Sequence, residues 1–465
     1  MQLVNETLNP VGDPARTARA GYRTIWRWHF YAGLFCLPFI TWLSITGSIY
    51  VFKPQIEAWL DRPYNHLPVT GPRATGEAHV KAALAAVPGA YLHDYELPEA
   101  DDSAVRVIVG KGTEEFRVYV HPATLQILNI ANEDQRFMKR VFRLHGELMA
   151  GDRGSMLVEL AASWTIVMIL TGLYLWWPRQ PFQPTGTVYP RLRQGGRIFW
   201  RDLHSVTGLW ISFFVLFLLV SGLPWAKNWG SYLKKVRKFS TADAKIDWPT
   251  GRAFELAERA AKNPAPATGG GEHSVHGGHR AVVASLSYEP VDRIVATVGA
   301  LHLAPPVLIA PPTKQGGNWT ARSDAGNRTL RATLELDAAT GAALKRQNFE
   351  QRPWIDRAVG IGVAAHEGQL FPLNQLVNIL TALGLNLLNI SAVAMWWKRR
   401  PRGVLGAPAA LRQGTISNWW LLPVILLGVL LPLLGVTMVL LFLAERLLLR
   451  HIPAASRWLG LGTSA

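Results

Sequence analysis

The sequence predicts a polytopic α-helical membrane protein: about five transmembrane helices in a parallel internal duplication, with two small α+β domains outside the bilayer. Three observations carry this. Five segments are long and apolar enough to cross a membrane, two long polar segments with strand-like alternation separate them, and a histidine motif recurs in both halves. Composition agrees: 49% of the 465 residues are apolar, only 17% are charged, and there are 19 tryptophans. Buried helices of a large soluble protein mimic one or two such segments, not five.

The expected spans are Phe30–Phe52, Leu157–Trp177, Leu209–Trp225, Leu376–Trp397 and Leu421–Ala444. The third is short before Pro224 and is expected to begin a turn earlier, near His204. The first starts late, lacks a small-x-small cleavage site and reads as an uncleaved span rather than a signal peptide. Cys36, the one cysteine, lies inside it, which excludes an intramolecular disulfide, a Cys-x-x-Cys-His haem attachment and a cysteine-built iron–sulfur cluster within one chain. The net charge of +16 comes largely from Arg and Lys beside the spans, without a nucleic-acid motif, so no nucleic-acid partner is expected.

Arg16, Arg19, Arg23 and Arg27 precede span one; Arg179, Arg191, Arg193, Arg197 and Arg201 join spans two and three; and "KRRPR" follows span four. Alternation puts these regions on one side, and the positive-inside rule makes it cytoplasmic, with the C-terminus outside. "KKVRK", Lys234 to Lys238, falls on the other side and weighs less, because it belongs to a long translocated segment. The expected organisation is a cytoplasmic N-terminus and first span over 1–52, an outer domain over 53–140, and spans two and three with their loop over 141–225. A second outer domain follows over 226–360, then span four with its outer histidine over 361–400, and a loop, span five and tail over 401–465. In the outer segments "AVRVIVG" and "EFRVYV", the latter turning at "HPAT", read as strands, and "DAATG" reads as a hairpin turn.

Span one begins "RWHFYAG" and span three "DLHSVTG", giving His29-x3-Gly33 and His204-x3-Gly208. Seventeen residues beyond each histidine stand Thr46-Gly47 and Ser221-Gly222. "RLHGE" with His145 and "AAHEG" with His366 each precede, by some thirty residues, "LWWPR" and "MWWKR". The chain thus reads as a duplication of roughly 27–178 and 202–398, both copies starting on the same side. Symmetry then pairs His29 with His204 near the inner face and His145 with His366 near the outer one. Facing imidazoles suit axial ligation of haem iron, the porphyrin filling apolar space between helices. On that reading two haem groups are bound, and Arg27, Arg201 and Arg143 meet propionates.

Plainer roles stand beside these. A histidine at a helix end also caps carbonyls; Arg27 and Arg201 are what topology alone would place there; the glycines also permit close helix packing; and Trp176, Trp177, Trp396 and Trp397 also form an interfacial belt. His273, His276 and His279 in "HSVHGGH" offer a weak outer metal site or a plain linker, and His302 a place facing a ligand. No dinucleotide-binding or Walker motif is present.

The segments "RTIWRWHFYAGLFCLPFITWLSITGSIYVFKPQIE", "RLHGELMAGDRGSMLVELAASWTIVMILTGLYLWWPR" and "FWRDLHSVTGLWISFFVLFLLVSGLPW" resemble the PepSY-associated transmembrane-helix family, which includes bacterial inner-membrane siderophore–iron reductases. The resemblance runs from about Arg23 to Arg400. It implies outer domains of PepSY-like fold, the first with His121 where an Asp is usual, and haem b held by His29, His145, His204 and His366. The function it implies is di-haem electron transfer from a quinol or a separate cytoplasmic or membrane donor to a periplasmic ferric siderophore. Lys234, Lys235, Arg237 and Lys238 would attract an anionic chelate or sit on lipid headgroups. Two other readings stay open: a non-enzymatic permease component or assembly protein, and a haem b carrier with a different periplasmic acceptor.

Overall fold

The structure, a computed structural model, describes residues 14–179, 181–240, 251–262, 288–312, 317–408 and 421–461. In chain order the helices are α1 Pro14–Val51, α2 Lys53–Asp61, α3 Gly76–Ala86, α4 Phe137–Glu147, α5 Gly151–Trp176, α6 Gly196–Gly222 and α7 Lys227–Ser240. There follow α8 Arg252–Lys262, α9 Pro290–Ala300, α10 Trp354–His366, α11 Asn374–Arg399, α12 Leu421–Leu430, α13 Pro432–Leu447 and α14 Pro453–Leu459. The strands are β1 Tyr91–Leu97, β2 Val105–Lys111, β3 Glu114–Val120, β4 Ile127–Asn132, β5 Val307–Ala310, β6 Trp319–Ser323, β7 Ala332–Leu336 and β8 Ala343–Asn348.

Five helical stretches among the described residues meet the length and apolarity of a bilayer crossing: Gly21–Val51, Gly151–Trp176, Gly196–Trp225, Asn374–Arg399 and Pro432–His451. The chain is a multi-pass helical membrane protein. The first and third stretches begin earlier than hydropathy alone predicts, so His29 and His204 lie about two turns inside those stretches instead of at the mouth. Arginine stems such as those of Arg23 and Arg27 extend a helix past the apolar boundary while their heads stay in polar surroundings.

The fifth stretch differs from the expected Leu421–Ala444. α12 stops at Leu430, and Pro432 opens α13 as its first residue. Proline lacks the N–H that would bond four residues back, and its ring crowds that carbonyl, here Gly428. The chain bends so far that a Cβ on Gly435 would stand 2.5 Å from the Gly428 oxygen. Only glycine fits there.

The fold divides into two compact units, Met1–Ser44 with Leu157–Val220 and Leu380–Ala465, and Ile45–Met156 with Ser221–Ile379. The first is helical. In it Cys36 is fully buried and donates to Ala161 O, Trp164 Nε1 donates to Thr437 Oγ1 at 3.2 Å, and Asn389 Nδ2 donates to Thr41 Oγ1 at 2.8 Å.

The second unit holds one antiparallel sheet of eight strands in the order β4-β3-β2-β1-β5-β6-β7-β8. The two long segments between spans therefore contribute four strands each to a single sheet, joined where Tyr95, Glu96 and Leu97 pair with Ile309, Leu308 and Val307. Val105, Val107, Val109, Ile309, Leu334 and Leu336 share one buried core with Val80 and Ala83 of α3 and Val291, Ile294 and Val298 of α9. Thr75 caps α3, its hydroxyl accepting from Ala78 N–H at 3.2 Å. The next residue, Gly76, lies where a Cβ would come within 2.8 Å of Val291, so its lack of a side chain lets α3 and α9 close together.

The hairpin turns use side-chain acceptors. Asp337 Oδ1 accepts from Thr340 N–H at 2.7 Å before Gly341, and in the β3–β4 turn His121 Nδ1 accepts from the Ala123 and Thr124 N–H groups, both at 3.2 Å. An imidazole thus does what a carboxylate does in the other hairpin. On β1 to β3, Glu96 meets Arg117 at 2.5 Å and Arg106 at 3.5 Å, and Tyr119 donates to Asp61 of α2 at 3.0 Å.

Candidate functional site

Each unit contains one pair of imidazoles. In the first, the rings of His29 on α1 and His204 on α6 lie 6.4 Å apart between centroids, at an interplanar angle of 85°. In the second, His145 on α4 and His366 on α10 lie 6.3 Å apart at 76°.

Every one of the four Nδ1 atoms meets a hydroxyl on another helix. His29 is 3.1 Å from Thr171 Oγ1 of α5, and His204 is 3.1 Å from Ser391 Oγ of α11. His145 is 3.0 Å from Thr46 Oγ1 near the end of α1, and His366 is 3.1 Å from Ser221 Oγ near the end of α6. In the first unit the proton positions follow. His204 Nδ1 also meets the Leu388 carbonyl at 3.2 Å, and a carbonyl only accepts, so Nδ1 is the donor. Thr171 donates its hydroxyl proton to Val167 O at 2.8 Å and is left to accept from His29. The proton on Nδ1 leaves the lone pair on Nε2, the tautomer a metal takes.

Small residues let the rings in. A Cβ on Gly172 would meet His29 Cε1 at 3.0 Å; on Gly47 it would meet His145 Cε1 at 3.1 Å; on Gly222 it would meet His366 Cε1 at 3.2 Å. Gly33 and Gly208 face Met168 and Leu388 at ordinary contact distance. The hydroxyls Thr171 and Ser391 carry no expectation in the sequence, although Thr171-Gly172 repeats the Thr46-Gly47 and Ser221-Gly222 pattern.

The second pair sits on short helices preceding the spans. α4 ends on Leu148 and Met149, both left-handed (φ 50° and 57°), with Met149 N–H bonding back to Arg143 O at 3.2 Å. Two non-glycine residues in that region cost about 1–2 kcal/mol each. They turn the chain between His145 and α5. α10 ends at His366, and its exposed carbonyls are satisfied by α11: Asn374 Nδ2 donates to Ala365 O at 3.0 Å, and Asn378 Nδ2 to Ala365 O and His366 O, both at 2.9 Å. The Trp225 ring packs 6.0 Å from His366, with the Arg328 guanidinium 5.8 Å over it.

The three candidate arginines are placed differently. Arg27 donates to Pro408 O and, at 3.0 Å, to Gly460 O. Arg201 pairs with Asp202 at 2.8 Å and keeps 59% of its side chain exposed, while the fully buried Asp202 also takes Arg191 at 2.6 Å. Arg143 stands two residues before His145, its buried Nε 3.6 Å from Glu147 and without a hydrogen bond. Burial lifts the Glu147 carboxyl above its usual range against the pull of Arg143.

Of the basic cluster, Arg237 is buried against Asp356, Lys234 is buried with its ammonium 3.9 Å over Phe254, and Lys235 is exposed; the side chain of Lys238 lies outside the described residues. His302 is exposed and bonds to Ala300 O at 3.0 Å. Trp176 and Trp396 donate to Thr187 O and Leu405 O, while Trp177 and Trp397 are two-thirds exposed, as interfacial anchors are. His273, His276 and His279 lie outside the described residues. Among the described residues no three His, Cys, Asp or Glu side chains gather around a common point.

The imidazole pairs fit haem iron. Two imidazoles on one iron would place their centroids about 6.2 Å apart, taking about 2.0 Å for each metal–nitrogen bond and about 1.1 Å from nitrogen to ring centre. Both separations agree with that span. No curated protein matches the chain. The family model for the PepSY-associated TM region matches residues 26–399. That stretch holds all four histidines and all four hydroxyls, and with it the chain belongs to the PepSY-associated TM region family.

Proposed function

We propose that this chain is a bacterial inner-membrane haem b protein that passes single electrons across the bilayer to a periplasmic ferric siderophore, releasing Fe(II) for uptake. The observation that carries this is the spacing of the two imidazole pairs. Haem b, when bound, supplies an iron that alternates between Fe(III) and Fe(II). The chain's own residues do the rest. His29 with His204 and His145 with His366 would hold the haem iron. Thr171, Ser391, Thr46 and Ser221 orient them, and Arg143, with Arg27 and Arg201 as further candidates, pairs with propionates. The matching roles of Thr171 and Ser391, and of Thr46 and Ser221, support an origin by parallel duplication.

Reduction frees the metal because hard siderophore oxygens hold Fe(III) far better than Fe(II). The N-terminus is assigned to the cytoplasm and the His145–His366 pair to the periplasmic side, from the arginine-rich inner loops. Pre-reduced protein in proteoliposomes is expected to be reoxidised by external ferric siderophore, with Fe(II) trapped outside by a chelator. His366→Ala slows that step at least tenfold and leaves reduction at the His29–His204 pair intact. Equal reoxidation by variant and parent sinks the route; no reoxidation by any ferric chelate, with both haems present, favours a different acceptor. A dithionite-reduced spectrum without a b-type signal favours the permease reading.

The hydroxyls give a finer test. Thr171→Val keeps the shape and removes the acceptor for His29 Nδ1–H, and loss of such an outer partner costs about 10–100-fold in metal-site affinity. Faster haem loss to an apo-globin is expected, with helix content unchanged; an unchanged rate means the hydroxyl does not position the ligand.

A further inference from the structure

We propose that α12 and α13 are not a fifth crossing but a re-entrant hairpin, and that the tail after them straps the end of α1 that carries Trp26. The contacts that carry this all lie within the first unit.

The Trp26 end of α1 fixes the side. Arg399, the last residue of α11, holds its guanidinium 4.9 Å over Trp26 and 5.5 Å over Phe30, so the chain leaves α11 there. At residues 458–460 it is at the same end again. Gly460 O accepts from Arg27 at 3.0 Å, and Tyr31 donates to Leu459 O. Pro408 O also accepts from Arg27, and Leu405 N–H donates to Trp458 O at 2.9 Å, so the two ends of the segment touch. A segment that starts and finishes on one side of a bilayer crosses it an even number of times. The outer C-terminus that hydropathy predicts needs an odd number.

The direction of α13 agrees. Thr437, near its start, accepts from Trp164, midway along α5. Glu445, in its last turn, acts electrostatically on the Tyr31 phenol, and Tyr31 stands two residues past His29, whose ring meets Thr171 of α5. From Trp164 to Thr171 and from Thr437 to Glu445 the helices run the same way, each by roughly 10–12 Å. α11 runs that way too, toward the Trp26 end. Two successive helices share a direction only if α12 carries the chain back between them. α12 has ten residues and rises about 15 Å, half of the roughly 30 Å of hydrocarbon. The bend strands little polar backbone: Leu431 N–H bonds to Leu427 O at 2.9 Å, Gly435 N–H bonds to Leu431 O at 3.1 Å, and Leu431 and Leu434 are buried.

The tail has the geometry of a latch. α14 ends at Gly460, whose left-handed φ of 66° turns the chain so that its carbonyl meets Arg27. Arg27 and Tyr31 lie one turn apart on α1, so a single face of that helix holds the strap.

An impermeant maleimide, applied to single-cysteine variants of the full chain made in Cys36→Ala, tests the sidedness in sealed vesicles of both orientations. Arg193→Cys, between α5 and α6, and Glu99→Cys, after β1, mark the two faces. Arg457→Cys is expected to label from the same face as Arg193→Cys, and Leu430→Cys, at the hairpin tip, from neither. Labelling of Arg457→Cys from the Glu99 face makes the stretch a crossing, and labelling of Leu430→Cys from either face takes the tip out of the hydrocarbon. Either result overturns the hairpin. Gly460→Val puts a branched side chain on left-handed backbone and should release the tail, raising tryptic cleavage after Arg457 roughly tenfold with the sidedness of labelling unchanged. An unchanged cleavage rate overturns the strap.

Discussion

Haem content, measured as pyridine haemochrome against protein, is expected to approach two per chain and to fall to one in His29→Ala, in His204→Ala and in the double variant alike. His145→Ala and His366→Ala should behave in the same way as a second set, and His29→Ala combined with His145→Ala should leave none. The pattern follows from the geometry, since each ring has one facing imidazole at 6.3–6.4 Å. On the proposed function, removing either member takes away half of a ligand pair, and removing the other then has little left to act on. A parent content of one after haem-replete expression would leave one histidine pair structural. Co-dependence of His29 with His145 would mean that the ligands are exchanged between pairs.

Asp356→Ala is expected to destabilise the protein by about 3–5 kcal/mol, the cost of breaking a buried ion pair from one side. Arg237 of α7 is 2% exposed and directs Nε and Nη2 at the two oxygens of Asp356, in the first turn of α10. Without the carboxylate the guanidinium stays buried and loses its counter-ion. α10 ends in His366, so the variant should also retain less of the second haem. A lower unfolding midpoint in detergent, with a smaller loss for Asp356→Asn, is the expected result. An unchanged midpoint would show that the pair only fixes geometry.

Much of this site can be read from the sequence because its key residues are ones that hydrocarbon tolerates poorly. A histidine in an apolar run stands out, and its recurrence at matching offsets pairs His29 with His204 before any coordinates. Thr171 and Ser391 do not stand out, because a hydroxyl in a membrane helix can satisfy itself on the preceding turn; Thr171 does this with Val167 O while also serving His29. Hydropathy locates the spans but is blind to Pro432, which reads as one apolar residue among many and yet divides the last helix. A left-handed turn after Glu147 and a positive-φ glycine at Gly368 set His145 and His366 on helices separate from the spans that follow. The alternation in β2, β3 and β7 shows strands, but the pairing of β1 with β5 is a contact between distant parts of the chain and leaves no local mark.

That pairing sets an order of assembly during synthesis. About two hundred residues separate β1 from β5, including two membrane crossings, so at roughly 5–20 residues per second β1 waits some tens of seconds for its neighbour. During that interval the first four strands form a half-sheet with β1 as an open edge, the kind of edge that recruits strands from other chains. β1 carries Asp94 and Glu96, and charge on an edge discourages such recruitment. When the later strands arrive, Asp94 is met by Arg322 of β6 at 3.1 Å. The acidic residue that guards the nascent edge thus becomes part of the seam that closes it.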